Sequence, residues 1–351
     1  MASLTQLYLY LTEGCNLACR HCWLAPKYDA LGIKYPVLDV ALMRKIFKEA
    51  LPLGLQAVKL TGGEPLLHPE IGTILDIIKE HNLRLTIETN GLLCTKEIAA
   101  KIAGHEKAFV SVSMDGATAE THEWVRGVKG SFVAACNAVG NLAEAGLHPQ
   151  IIFSVMRHNV AEISEIIGLG EQLGAKSIKF NIIQPTARGE VLHGQDETLS
   201  LKELIDLGKK VEFELQKTTE LHLYYDYPVA FRPLSRLNKN WGVCGIKNIL
   251  GVLATGKYAL CGIGEQIPEL IFGEAGKDPL ETIWNNHPAL LKIREDIPLK
   301  LKGICSRCLL KSKCLGSCVA QNYYRSKDLT APFWFCEMAE EEGLFPASRL
   351  I

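Results

Sequence analysis

The chain has 351 residues, 48% hydrophobic and 22% charged, which suits one large barrel-type unit plus a smaller one. Its 38 Lys and Arg against 39 Asp and Glu give a formal charge of −1, which argues against a nucleic-acid surface and a disordered acidic arm. The N-terminus shows no charged region followed by an apolar one, and no apolar run reaches membrane-spanning length, so a cytoplasmic protein without a membrane partner is expected. In that reducing compartment the 12 Cys read as metal ligands rather than disulfides.

Leu7–Leu11 is an apolar, aromatic run that reads as a buried strand. Cys15, Cys19 and Cys22 follow it at C-x3-C-x2-C spacing. Three thiolates on one short loop can take three corners of a cubane iron–sulfur cluster. The next Cys is Cys94, so one iron would stay open to a ligand. Zinc with a distant fourth ligand is the competing reading.

Further strands are expected at Ala57–Thr61, Leu85–Thr89, Phe109–Ser113, Ile151–Val155 and Ser177–Ile183. Amphipathic helices at Asp39–Leu51, Ile71–His81, Ser131–Ala145 and Ala161–Leu173 alternate with them. This α/β pattern of six β-α repeats gives a parallel sheet with right-handed crossovers, too few units for a closed eight-stranded barrel. Function on such sheets gathers at the C-terminal ends of the strands. Gly62-Gly63-Glu64-Pro65 ends the second strand, where two Gly allow a close backbone approach and Pro turns the chain away. Glu88 and Asn90 end the third strand, and Ser113 and Asp115 the fourth. Asn90 and Asp115 begin Asn-Gly and Asp-Gly pairs, which also serve as ordinary turns. Ser154 and Gln184, at the ends of the fifth and sixth strands, carry no motif and read as bland. Pro185–Asp196 reads as a polar loop, Leu199–Thr218 as a surface helix, and His222–Pro228 as a bridge with structural tyrosines.

Beyond Trp241 the pattern changes, and Cys244, Cys261, Cys305, Cys308, Cys314, Cys318 and Cys336 appear. The N-terminal cysteine loop together with Thr61-Gly-Gly-Glu-Pro65 resembles the radical S-adenosylmethionine (SAM) enzymes. Gly256-x4-Cys261, Cys305-x2-Cys308-x5-Cys314-x3-Cys318 and Cys336 resemble the SPASM domain of that family. The resemblance implies a partial (β/α)6 barrel over residues 1–220, a bridging region over 221–240, and a Cys-rich iron–sulfur domain over 241–351.

It also implies roles. Cys15, Cys19 and Cys22 would hold a [4Fe-4S] cluster that cleaves SAM to a 5′-deoxyadenosyl radical. The turn Gly62, Gly63, Glu64 and Pro65 would meet the methionine ammonium. Glu88, Asn90, Ser113 and Asp115 are further expected SAM contacts. His122-Glu-Trp-Val-Arg126-Gly127 is similar to the family's His-Asp-x-x-Arg-Gly, so Arg126 would reach the SAM carboxylate; Glu123 stands where Asp is commoner. His21 takes the place of an aromatic that packs on adenine, or is simply a packing residue. Cys305, Cys308, Cys314 and Cys336 would hold an outer auxiliary cluster, and Cys244, Cys261 and Cys318 an inner one with its fourth position open or filled by another ligand. Two zinc sites are the alternative for this domain. Cys136 reads as a small buried hydrophobe; Cys94 either packs or faces the active site.

The substrate classes the resemblance implies are a ribosomally made peptide, an enzyme matured as in the sulfatase-maturating relatives, and a tetrapyrrole. Sulfatase maturation is disfavoured because Gly262 follows Cys261 where those relatives carry a basic Asp. The chain begins at its first strand, so a peptide would be presented by a separate recognition protein or bound directly. An electron donor such as flavodoxin or ferredoxin is implied. A non-catalytic iron–sulfur carrier is the reading from a different class, and it would need no Gly-Gly-Glu-Pro turn.

Overall fold

The computed structural model describes residues 2–234 and 244–351; residues 235–240 of the expected bridge and 241–243 of the expected C-terminal unit lie outside the described residues. The strands are β1 (Gln6–Tyr10), β2 (Ala57–Thr61), β3 (Arg84–Thr89), β4 (Ala108–Ser113), β5 (Gln150–Val155) and β6 (Ser177–Ile182). They are followed by β7 (His222–Tyr225), β8 (Ile249–Val252), β9 (Lys257–Ala259) and β10 (Ile271–Glu274). All ten form one sheet in the order β10-β9-β8-β1-β2-β3-β4-β5-β6-β7.

Strand parity decides which side chains go where. Leu7, Leu9, Val58, Leu60, Leu85, Ile87, Val112, Phe153 and Phe180 alternate onto the outer face and are buried. The helices α1 (Val40–Ala50), α2 (Ile71–Glu80), α3 (Lys96–Ala103), α5 (Ser131–Glu144), α6 (Ile163–Gln172) and α8 (Leu201–Phe213) bring their own apolar stripes to the same core. Each fully buried Leu, Ile or Val is worth about 1.5–3 kcal/mol. Local signals start these helices: Asp39 accepts from Leu42 N at 2.7 Å, and Ser200 with Glu203 forms a capping box. The opposite parity, Tyr8, Lys59, Thr86, Glu88, Ser111, Gln150, Ser177 and Lys179, lines the concave face and is largely polar.

The sheet runs past the six expected units. His222–Tyr225, read as a bridge, is a seventh strand parallel to β6, because Leu223 and Tyr225 alternate into the core while Tyr224 faces the lumen. On the other side β8 pairs in parallel with β1, Tyr8 opposite Gly251, and β9 and β10 continue antiparallel. One sheet therefore carries strands that come before the expected bridging region 221–240, within it and after it.

Further along, Cys305, Cys314 and Cys336 sit on the short helices Gly303–Arg307, Lys311–Cys314 and Trp334–Glu341, Cys308 just past the first of these, and Cys318 just before the helix Val319–Ser326. Asp328 braces this region. Its carboxylate accepts from Lys302 Nζ at 2.5 Å, Thr330 N at 2.9 Å and Thr330 Oγ1 at 2.8 Å. Lys302, then Thr330, hold it down to about 2 from the ordinary carboxylate value of 3.8. A depressed folded-state value stabilises the protein above the ordinary range, and that contribution is lost as pH falls from about 4 toward about 2. Asp328→Asn is expected to lower the melting temperature at pH 7 by the loss of roughly 1 kcal/mol and to narrow the gap from wild type at pH 3; thermal unfolding at both pH values checks it.

Candidate active site

The cysteine loop is held from three sides by backbone. Gly63 N donates to Thr12 O at 2.8 Å and Glu64 N to Gly14 O at 2.9 Å, so the β1–β2 ladder continues past the strand ends. A Cβ on Gly63 would stand 1.9 Å from Gly14 O. The close approach expected of this turn is thus made to the cysteine loop itself. Across the loop, Ala18 N donates to Arg126 O and Arg20 N to Val125 O, at the end of α4 (Ala119–Arg126). Gly127 follows with φ +74°, and a side chain there would strike Ala18 O at 2.8 Å. Arg188 closes the third side, donating to Cys19 O and Pro26 O, both at 3.1 Å.

The Glu64 carboxylate, 1% exposed, accepts from Leu66 N at 3.0 Å, Thr89 Oγ1 at 2.7 Å and Asn90 N at 2.8 Å. It ties the end of β2 to the end of β3. Burial raises it to about 6 against the pull of these donors. Pro65, buried beside it, starts a 3-10 turn. Asn90 makes the ordinary turn expected of its Asn-Gly pair and also reaches the cysteine loop. Its Oδ1 closes a turn on Leu92 N, and its Nδ2 reaches Asn16 Oδ1 at 2.7 Å and Cys15 Sγ at 3.7 Å.

Asp115 and Arg126 are one unit. The Arg126 guanidinium meets Asp115 Oδ2 at 2.6 Å and donates to Cys19 Sγ at 3.6 Å; both side chains are buried. Asp115 also accepts from Ser154 N at 2.7 Å and faces His21 Nε2 at 3.7 Å. Burial pushes the Asp115 carboxyl up, but Arg126, then His21 and the Ser154 N–H, hold it below the usual range. Burial lowers His21 to about 4 and His122 to about 3, so both rings are neutral at pH 7. His21 Nδ1, His122 Nε2 and Arg126 Nε have no hydrogen-bond partner although buried. Unsatisfied buried donors and acceptors of this kind mark a place for a polar ligand.

Glu88 turns to Lys59, its Oε1 2.5 Å from the ammonium. Ser113 ends β4 half-buried. Gln184 lines the barrel lumen, whereas Ser154 offers Asp115 its backbone. Cys94 is 4% exposed within the main core and Cys136 is half-buried on α5.

All twelve cysteines are free thiols. Cys15, Cys19 and Cys22 share one apolar cluster with Leu17, Leu92 and Val128. Cys305, Cys308, Cys314 and Cys336 line one cavity closed by Pro228, Ile304 and Phe345. Cys244, Cys261 and Cys318 form a third group: Cys318 pushes up the thiols of both Cys244 and Cys261, and Cys244 that of Cys261. The sulfurs accept backbone N–H groups: Leu17 to Cys15 and Leu310 to Cys308, both at 3.4 Å, with Ile246, Ile263 and Ala320 serving the third group. Donors aimed at sulfur favour the thiolate, the form that binds iron, while burial alone raises these thiols. Three, four and three thiols are donor sets of the kind that hold iron–sulfur clusters. Among the described residues no group of three or more His, Cys, Asp or Glu side chains is drawn together tightly enough to hold a single metal ion.

Against the second and third groups lies the lumen, a cavity of ≈ 470 Å³ reaching from Phe109, Gln150 and Lys179 to Cys244, Cys314 and Cys318. Ser111, Gln150 and Ser177 make a hydrogen-bonded row across it. Lys179 and Asp226 pair at 3.6 Å.

Lys59 and Arg188 are site residues that motif spacing misses. Lys59 could have been found as a lone charge of inward parity in Ala57–Thr61, and Arg188 as a cation just past the end of β6.

Comparison with known proteins agrees with this geometry. Residues 9–169 match the radical SAM superfamily model. The AdoMet-dependent heme synthase of Methanosarcina barkeri is 29% identical over 93% of this chain and 94% of its own length. The mycofactocin maturase MftC of Mycobacterium ulcerans is 28% identical over 92% of this chain and 85% of its own. The crystal structure of Streptococcus suis SuiB bound to precursor peptide SuiA has the same fold, with TM-score 0.74, 18% identity, and 96% of this chain and 76% of that one covered. The match takes in the cysteine loop after the first strand and the Gly-Gly-Glu turn packed against it, so residues 9–169 form a radical SAM domain. The likeness to MftC and to the SuiB structure runs over 92% and 96% of this chain, and so takes in most of the C-terminal cysteine-rich extension of the same sheet.

Proposed function

We propose that this enzyme modifies a ribosomally made peptide by hydrogen abstraction. The observation that carries this reading is the lumen. It is a cavity of ≈ 470 Å³ that runs from the starts of β4, β5 and β6 to the inner cysteines, with aromatic (Phe109, Tyr224), charged (Lys179, Asp226) and amide (Gln150, Gln184) groups for a side chain and its backbone. The names of MftC as a maturase and of SuiA as a precursor peptide support the same class.

In this reading Cys15, Cys19 and Cys22 would hold the cluster that cleaves SAM. Cys244, Cys261 and Cys318 would hold an inner auxiliary cluster, and Cys305, Cys308, Cys314 and Cys336 an outer one. Together, SAM and a reduced cluster supply a 5′-deoxyadenosyl radical, the species that takes hydrogen from substrate. The protein's own work is placement. Gly62 and Gly63 fix the loop, and Glu64 locks the turn onto β3. Asn90 and Arg126 orient Cys15 and Cys19. Asp115 keeps Arg126 charged and in place, leaving Arg126 Nε, His21 Nδ1 and His122 Nε2 toward SAM. Glu88 and Ser113 border the same volume from β3 and β4. The layered division, 1–220 for SAM cleavage and 241–351 for the auxiliary clusters, operates on one sheet. A peptide would enter directly or be handed over by a recognition protein, and flavodoxin or ferredoxin would supply electrons.

The test is co-expression under anaerobic conditions with the short peptide encoded beside the gene, followed by intact-mass measurement. A loss of two hydrogens, loss of a fragment, or deuterium incorporation at constant mass supports the proposal. An untouched peptide with active SAM cleavage contradicts it. A second reading, modification of a haem precursor, is favoured by one observation: the match to the heme synthase spans 94% of that protein. Incubation with an iron-bound tetrapyrrole, read by absorbance and mass, distinguishes it.

A further inference from the structure

We propose that the ion pair of Lys59 and Glu88 sets the reduction potential of the inner auxiliary centre on Cys244, Cys261 and Cys318; the inference rests on the cluster assignment above. Neither residue is drawn into the cysteine loop, and a charged pair on the lumen face of two central strands calls for a role.

The register places it. Gly251, Tyr8 and Lys59 stand side by side on β8, β1 and β2, with side chains on the same face. Cys261 lies directly over Gly251, whose missing side chain makes the room: a Cβ there would be 2.8 Å from Cys261 Cα. Next in the row, the Lys59 ammonium sits 4.9 Å above the Tyr8 ring. Glu88, one strand further, holds the ammonium at 2.5 Å, and the Lys59 side chain is only 19% exposed. The order across the lumen is thus cysteine group, Tyr8, Lys59, Glu88.

A fixed cation beside a redox centre favours its more negative, reduced state and raises its potential; an anion does the reverse. Here the cation stands nearer and the anion behind it, so the pair acts as an oriented dipole. Lys59 and Glu88 are positioning residues in this account, since neither touches a reacting atom.

The test uses the full-length, anaerobically reconstituted protein and EPR-monitored redox titration, with the inner signal identified as the one lost in Cys261→Ala. Lys59→Met is expected to shift the inner midpoint potential negative and Glu88→Gln to shift it positive, with Lys59→Arg close to wild type. The signal lost in Cys305→Ala should stay in place in all three. Shifts of the same sign in Lys59→Met and Glu88→Gln, as a packing defect would give, overturn the proposal, and so does an unmoved inner potential. If Cys261→Ala removes no iron, the cluster assignment itself fails, an outcome distinct from an unmoved potential.

Discussion

Cys15→Ala is expected to strip about four irons from each chain and to bring SAM cleavage to background, leaving about eight irons in place. The Cys15 sulfur is buried, accepts the Leu17 N–H at 3.4 Å and is approached by Asn90 Nδ2 at 3.7 Å. No other cysteine can replace it. Cys94, the next along the chain, packs into the main core. Cys94→Ala should therefore keep its full iron content and lose only packing energy, on the order of 1 kcal/mol. The two variants separate ligation from packing. Iron and sulfide analysis with EPR of the reduced protein reads both, and equal iron loss in the two would refute the assignment.

Arg126→Met is expected to destabilise the protein by about 3–5 kcal/mol, because it strands a buried carboxylate. Asp115 is fully buried, and its nearest remaining cation would be His21, whose burial keeps it neutral at pH 7. Asp115→Asn leaves Arg126 with Cys19 and costs less. The double variant Asp115→Asn, Arg126→Met should be more stable than Arg126→Met alone, since no unpaired charge is left. Chemical denaturation of all three checks the order. The family resemblance assigns Arg126 to the SAM carboxylate, whereas the structure gives its Nη atoms to Asp115 and Cys19 and leaves Nε to a ligand. SAM affinity in the double variant reports on that share separately from stability.

The cysteine loop, the Gly-Gly-Glu-Pro turn and the His-x-x-x-Arg-Gly stretch were legible because their chemistry depends on local spacing. The six alternating units were legible because both faces of their strands and helices carry clear periodicity. The two outer parallel strands were not. β8 finds β1 across more than two hundred residues and runs on into β9 without a helix, while β7 follows α8 but is only four residues long. The same distance hides the Gly251, Tyr8 and Lys59 row. The sequence places Glu64 in the turn, and the packing adds what its carboxylate holds there: Leu66, Thr89 and Asn90, because a buried acid takes every donor within reach. Motif spacing says which residues gather, while side-chain partners follow from the packing around them.

The account rests most directly on the cleavage of SAM. The decisive measurement is 5′-deoxyadenosine formation by the fully iron-loaded enzyme under anaerobic reduction, with Cys15→Ala alongside. 5′-Deoxyadenosine from the wild type and background from the variant are the predicted result. A loaded wild-type protein that forms none would contradict the account and leave an iron–sulfur carrier in its place.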